Sequence, residues 1–110
     1  MVIVVPGKGL GKTADEQFGV EMLEKFFHTL ERFEEKPEAI CFYTEGVYNV
    51  VDDSPTLFGL KLLEGMGVEI VACQTCLERF GLADRLAVGR PDGMVGILGW
   101  LQRADKVVTV

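Results

Sequence analysis

Val2-Ile3-Val4-Val5-Pro6-Gly7 decides the fold. Four consecutive β-branched residues, with no polar side chain among them, leave no face for water. A strand of this kind is buried on both sides, as strands within parallel sheets are. Pro6-Gly7 ends it. The chain then turns helical: Phe18, Gly19, Met22, Leu23, Phe26, Phe27, Leu30 and Phe33 recur in steps of three and four, which marks one apolar stripe. Glu21, Glu24, Glu31, Arg32 and Glu35 take the outer face. Thr13-Ala14-Asp15-Glu16 has the form of a capping box, so Thr13 is expected to cap this helix.

The same alternation continues outward. Ala39–Tyr43 reads as a second strand, Thr44–Asp53 as a long loop, and Ser54-Pro55 as the cap and first residue of a second helix. Leu57, Leu60 and Leu63 follow at helical spacing until Gly65 and Gly67 stop them. Val68–Ala72 is a third strand, Cys73-Gln74-Thr75-Cys76 opens the next turn, and Leu77–Gly81 is a short helix. Leu86-Ala87-Val88 is expected to be a short fourth strand. Asp92 should cap a helix carrying Met94, Ile97, Leu98 and Leu101, and Lys106–Val110 is the last strand. Strands alternating with helices imply an α/β fold, a parallel sheet of five strands with right-handed crossovers and helices on its faces. Ligands of such folds sit at the carboxyl ends of the strands. Gly7–Lys12, Thr44–Asp53, Cys73–Cys76 and Gly89–Asp92 are expected to gather there.

At 110 residues the chain has room for one domain, 1–110. It is 48% apolar and carries a formal charge of −6. That composition forms a core, and its acidity argues against nucleic acid and anionic membrane surfaces, both of which reward Lys and Arg. Met1–Val5 is the longest apolar run, far short of a membrane span. No secretion signal is read at the start, so a cytoplasmic, reducing setting is expected, where the odd number of cysteines (Cys41, Cys73, Cys76) argues against a structural disulfide. Residues 1–66 hold 12 acids and 6 bases, whereas residues 67–110 hold 5 of each. The cysteine pair therefore sits on a locally neutral background.

Two stretches could carry chemistry. Gly7-Lys8-Gly9-Leu10-Gly11-Lys12-Thr13 lies between a strand and a helix and ends in Gly-Lys-Thr. Its glycine spacing is one residue short of a phosphate-binding P-loop. The readings left are a flexible loop or a weaker anion site at a helix N-terminus, using Gly9 and Gly11. Cys73-x-x-Cys76 follows a buried strand and begins a helix, where free N–H groups and the helix dipole favour a thiolate. Cys73 is expected to be the most reactive thiol and Cys76, one turn in, to lie deeper. Cys41 is expected to fill the core. A structural zinc site needs four ligands, and two paired cysteines with His28 on the outside of a helix do not supply them. A thioredoxin-type reading lacks an aromatic residue before the first cysteine. Asp52-Asp53 fit helix capping, Glu45-Gly46 and Tyr48-Asn49 fit pocket lining, and Trp100 fits the core or a subunit contact.

The stretch Gly67–Leu82, with Cys73-Gln74-Thr75-Cys76-Leu77-Glu78-Arg79-Phe80-Gly81 at its centre, resembles the segment around the reactive cysteine of the DsrE/DsrF-like (YchN-like) family of sulfur-handling proteins. Phe27-His28-Thr29-Leu30, Glu45-Gly46-Val47, Leu86-Ala87-Val88-Gly89 and Ala104–Thr109 follow in the family's order. The resemblance is closest to the C-terminal DsrE-like domain of the YedF group, sulfurtransferase-like proteins linked to selenium metabolism. It implies a three-layer α/β/α domain with a five-stranded parallel sheet that assembles into dimers, trimers or hexamers. It also implies a persulfide carried on the cysteine after the third strand, which is Cys73, with Cys76 as the resolving or supporting thiol. Glu45, Gly46 and Thr75 would line that site, with no metal and no cofactor. YedF proteins place a TusA-like domain ahead of this one. Met1-Val2 already reads as the first strand, so the chain is a stand-alone relative or an excised domain, and its sulfur or selenium donor or acceptor is a separate protein such as a TusA-like domain. Two other readings stay open: a non-catalytic oligomeric module with a structural cysteine pair, and a small-molecule or anion binder at Gly7–Thr13.

Overall fold

In the computed structural model, which describes residues 1–110, β1 (Val2–Val5) is buried along its whole length. β2 (Ala39–Phe42) lies against one edge of it and β5 (Val107–Thr109) against the other, both parallel. β3 (Glu69–Cys73) and β4 (Arg90–Asp92) extend the sheet to the order β4-β3-β2-β1-β5. The register sets Val4 beside Cys41 and Cys41 beside Val71, so Cys41 is enclosed by apolar strands. The chain steps one way from β1 to β4 and then crosses back to β5. Right-handed crossovers therefore put α4 (Met94–Arg103) on the face opposite α1 (Glu16–Leu30) and α2 (Leu57–Gly65), which gives the three layers α/β/α. Phe27 of α1 and Phe42 of β2 meet with ring centroids 6.3 Å apart in the core between them.

Several elements begin elsewhere than local sequence suggests, each for a hydrogen-bonding reason. Asp15, not Thr13, caps α1: its carboxylate accepts the Phe18 N–H at 3.1 Å, while the Thr13 hydroxyl accepts from the Asp15 N–H. A carboxylate at that place also faces the positive end of the helix dipole. The helix ends at Leu30, which leaves Phe33 beyond it and largely exposed. The Ser54 hydroxyl accepts the Thr56 N–H in a local turn, so α2 starts at Leu57 and not at Pro55. Thr44–Asp53 is not a plain loop. Thr44–Val50 winds into a 3₁₀ helix pinned by Asn49, whose side-chain amide donates to Gly7 and Gly46 carbonyls and whose Oδ1 accepts from the Thr56 hydroxyl. Asn49 is thus a buried staple, and with Tyr48, Lys8 and Asp53 it also lines a cavity of about 190 Å³. Asp52 and Asp53 cap nothing and pair with Arg85.

The fourth strand is Arg90–Asp92, not Leu86–Val88. Leu86 bridges antiparallel to Val51, and Ala87 N–H donates to the Val50 carbonyl at 2.9 Å. Those three apolar residues are used against the 3₁₀ segment, and Gly89, at φ 74°, turns the chain into the sheet. Pro91 is tolerated because β4 is an edge strand. Gly89–Asp92 consequently runs as the turn into β4 and the strand itself, and of these residues Asp92, beside Cys73 at the strand's end, reaches the carboxyl edge. Asp92 ends that strand and bonds the Gly93 N–H, and Gly93 takes the N-cap position of α4 without a side-chain cap. No helix is long and apolar enough to cross a membrane.

Candidate functional site

Cys73 is both the last residue of β3 and the N-cap of α3 (Gln74–Arg79). Its Sγ accepts the backbone N–H of Cys76 at 3.4 Å and the Cys76 thiol at 2.8 Å. The strand anchors the first cysteine rigidly, and one helical turn brings the second over it. Their burial is the reverse of the sequence expectation. Cys73 is 3% exposed, while Cys76 is half-buried and closer to solvent. A strand-end residue in a sheet covered on both faces is walled in, whereas α3 carries Cys76 out toward the carboxyl edge. Burial raises the Cys76 thiol above the ordinary range, and its hydrogen bond to Cys73 raises it further. Cys76 thus holds its proton and presents it to the Cys73 sulfur. Cys41, with no such partner, is pushed up to about 11, chiefly by burial.

Thr44 belongs to this site although nothing in the sequence singled it out. Its backbone N–H donates to Cys76 Sγ at 3.0 Å. To do so, Thr44 adopts φ 47°, a left-handed conformation that β-branched residues avoid and that costs about 1–3 kcal/mol. Its hydroxyl lies 2.6 Å from the Pro6 carbonyl and 2.7 Å from its neighbour Tyr43's, which holds the strained turn against the end of β1. The ends of β1, β2 and β3 thus converge on one sulfur. Tyr48 of the same 3₁₀ segment packs on Phe80, ring centroids 5.2 Å apart, with the Lys8 ammonium 4.6 Å from the centre of the Tyr48 ring.

The remaining sequence candidates separate. Thr75 lies between the cysteines on α3 and is exposed. Gly46 lines no pocket: it is buried against the end of β1, where a Cβ would overlap the Val5 carbonyl. Glu45 turns to a different place, a cavity of about 250 Å³ walled by Gly7, Lys8, Gly9, Gly11 and Glu16 among others. There Gly9 packs on α1, where a Cβ would fall 2.5 Å from the Gly19 carbonyl carbon, and Leu10 N–H bonds the Gly19 oxygen. Gly11 takes φ 64°. Gly9 serves a close loop–helix contact and Gly11 a left-handed turn. Asp15 occupies the α1 N-terminus, and the cavity holds Glu16 and Glu45 beside Lys8, whose ammonium lies 3.5 Å from the Glu16 carboxylate. No three of the His, Cys, Asp and Glu side chains cluster as metal ligands.

The sequence pattern of the DsrE/DsrF-like family matches residues 11–110. The chain belongs to the DsrE/DsrF-like family. The fold is shared with solved structures at low identity. The ychN protein from E. coli superposes with a TM-score of 0.68 at 15% identity, covering 99% of this chain and 97% of that one. The protein of unknown function MTH1491 from Methanobacterium thermoautotrophicum gives 0.69 at 19% identity, covering 99% and 96%. The conserved protein of unknown function BT1422 from Bacteroides thetaiotaomicron gives 0.62 at 17%, covering 99% and 94%. No curated protein matches in sequence. For a DsrE-like fold, the cysteine pair lies where β3 ends, two strands away from the junction of β1 and β5 at which the strand order reverses. Its chemistry is therefore built by α3 and the 3₁₀ turn and not by the usual crevice of open α/β sheets.

Proposed function

We propose that this DsrE-like protein is a persulfide carrier in a sulfur relay, with the Cys73–Cys76 pair as its sulfur-handling centre and Cys73 as the resting place of the cargo. The observation that supports this most is the double acceptance at Cys73 Sγ, which takes an N–H and an S–H from Cys76. Both contacts direct donors from the α3 turn at the Cys73 sulfur and fix it beside the Cys76 sulfur, an arrangement suited to sulfur transfer between thiols. Membership of a family associated with sulfur relay points the same way. The donor or acceptor is a separate protein, such as one bearing a TusA-like domain, and the YedF-like resemblance extends the reading to selenium. A reducing, cytoplasmic setting suits two free thiols. Incubating the reduced protein with glutathione persulfide, alkylating, and locating the added sulfur by peptide mass spectrometry tests this reading. The expected result is an extra sulfur that comes to rest on Cys73 in the parent protein and is missing from that position in Cys73→Ser. A protein that takes up no sulfur on either cysteine is not a carrier.

A second reading rests on α4, where Met94, Val95 and Leu98 form an exposed apolar face, with Val95 91% exposed. Such a face on a chain of this size suits contact between copies in a homo-oligomer, and a carrier and an oligomer are compatible.

A further inference from the structure

Resting on that carrier reading, we propose that sulfur reaches Cys73 in two steps, arriving first on Cys76 and then passing to Cys73, with the strained Thr44 amide holding the Cys76 sulfur in place for the hand-off. Three observations carry it. Cys73 is 3% exposed, so a donor sulfur meets Cys76 before it meets Cys73. The two sulfurs are 2.8 Å apart, so an atom on one lies within reach of the other. Cys76 Sγ accepts the Thr44 N–H at 3.0 Å, a donor placed there by an unfavourable backbone conformation that the Thr44 hydroxyl ties to the Pro6 and Tyr43 carbonyls. Strain kept at one residue and directed at one sulfur marks a function for that contact.

The chemistry balances without an oxidant. In the first step the Cys76 sulfur attacks the outer sulfur of a donor persulfide, R–S–SH. The S–S bond of the donor breaks, and R–S⁻ leaves and takes up the Cys76 proton as R–SH. In the second step the Cys73 sulfur attacks the outer sulfur on Cys76. A Cys73–S bond forms, the Cys76–S bond breaks, and the proton held by Cys73 moves to the departing Cys76 sulfur. One sulfur atom moves, and nothing is oxidised or reduced overall. Charge gathers on the Cys76 sulfur as it departs in the second step, and the Thr44 N–H is already directed at it. A preorganised donor at a site of developing charge is effective because it needs no rearrangement as the reaction proceeds. Thr44 acts through Cys76 and is a positioning residue.

Rapid-quench loading with glutathione persulfide, followed by alkylation and site-resolved mass spectrometry, tests the order. In the parent protein sulfur should appear on Cys76 before Cys73. Cys73→Ser should strand it on Cys76. Cys76→Ser should slow Cys73 loading about tenfold or more, through loss of the intramolecular step. If Cys76→Ser loads Cys73 at the parent rate, sulfur goes directly to Cys73 and the two-step route is wrong, while the carrier reading stands. If neither cysteine of the parent is loaded, the carrier reading itself fails. For Thr44, the Ala variant removes the hydroxyl tether and should slow the transfer from Cys76 to Cys73 and move the pH profile of Cys76 alkylation upward. Thr44→Ser should restore both. A Thr44→Ala protein with an unchanged melting temperature, transfer rate and alkylation profile would overturn the role given to Thr44.

Discussion

Cys73 and Cys76 differ by three positions and by the side of the sheet edge on which they end. Local sequence ranks Cys73 first in reactivity, because it begins a helix and follows a rigid strand. Burial reverses that order for any reagent that must approach from solvent. We expect iodoacetamide in limiting amount to label Cys76 first, Cys73 more slowly, and Cys41 only on unfolding, as followed by peptide mass spectrometry. The pH dependence has a definite sign. Alkylation requires the thiolate, and burial together with the hydrogen bond to Cys73 holds the folded Cys76 thiol above the ordinary thiol range, so its labelling rate should still be climbing at a pH where that of an exposed thiol has levelled off. In urea, with burial and the Cys73 contact removed, the rise should come at lower pH. Labelling of Cys73 ahead of Cys76 in the native protein would show that the pair opens in solution more than its packing implies. The cysteines and their spacing were legible in the sequence; Thr44 was not. Left-handed turns are normally signalled by Gly or Asn, and a threonine at φ 47° inverts that preference.

At the level of elements, the apolar stripe of α1 and the β-branched runs of β1 and β3 identified those pieces without ambiguity, because burial periodicity is a property of consecutive side chains. Their ends were less legible, since several Ser, Thr and Asp residues compete for the same N–H groups. The start of α1 shows how the competition resolves. Asp15→Ala should destabilise the protein by about 1 kcal/mol, and Thr13→Ala by clearly less, because only Asp15 accepts from a helical N–H. Urea denaturation of both variants measures this, and equal losses would mean that the cap is shared. The displaced fourth strand has a different origin. Leu86-Ala87-Val88 is more strand-like in composition than Arg90-Pro91-Asp92, yet the sheet takes the latter. An edge strand needs hydrogen bonds on one side only and can carry Pro and charge, while the apolar trio is consumed in closing the core over Val50 and Val51.

For the whole molecule, a single core is built on both faces of one parallel sheet, and among the apolar surface left outside it is a face of α4. Met94, Val95 and Leu98 project from the outer side of a helix whose Ile97 is fully buried. We expect sedimentation at micromolar concentration to give a species larger than 12.1 kDa, and Val95→Glu to shift it toward the monomer with little change in melting temperature below the dissociation point. A 12.1 kDa parent under those conditions would remove the case for α4 as a contact between copies. The number of strands, their parallel pairing and the three layers were contained in the amino-acid sequence, because the alternation of buried β-branched runs with amphipathic helices has few compact solutions once crossovers are right-handed. The family followed from the same linear order of short stretches around the cysteines. The distribution of roles at the strand ends was decided only by the tertiary structure. Gly9 and Gly46 are points of close backbone approach, Glu45 faces the glycine loop, and the more accessible sulfur is Cys76. Each of these depends on which segments, distant in the chain, arrive at the same point in space. Residue type and spacing along the chain carry no record of that meeting.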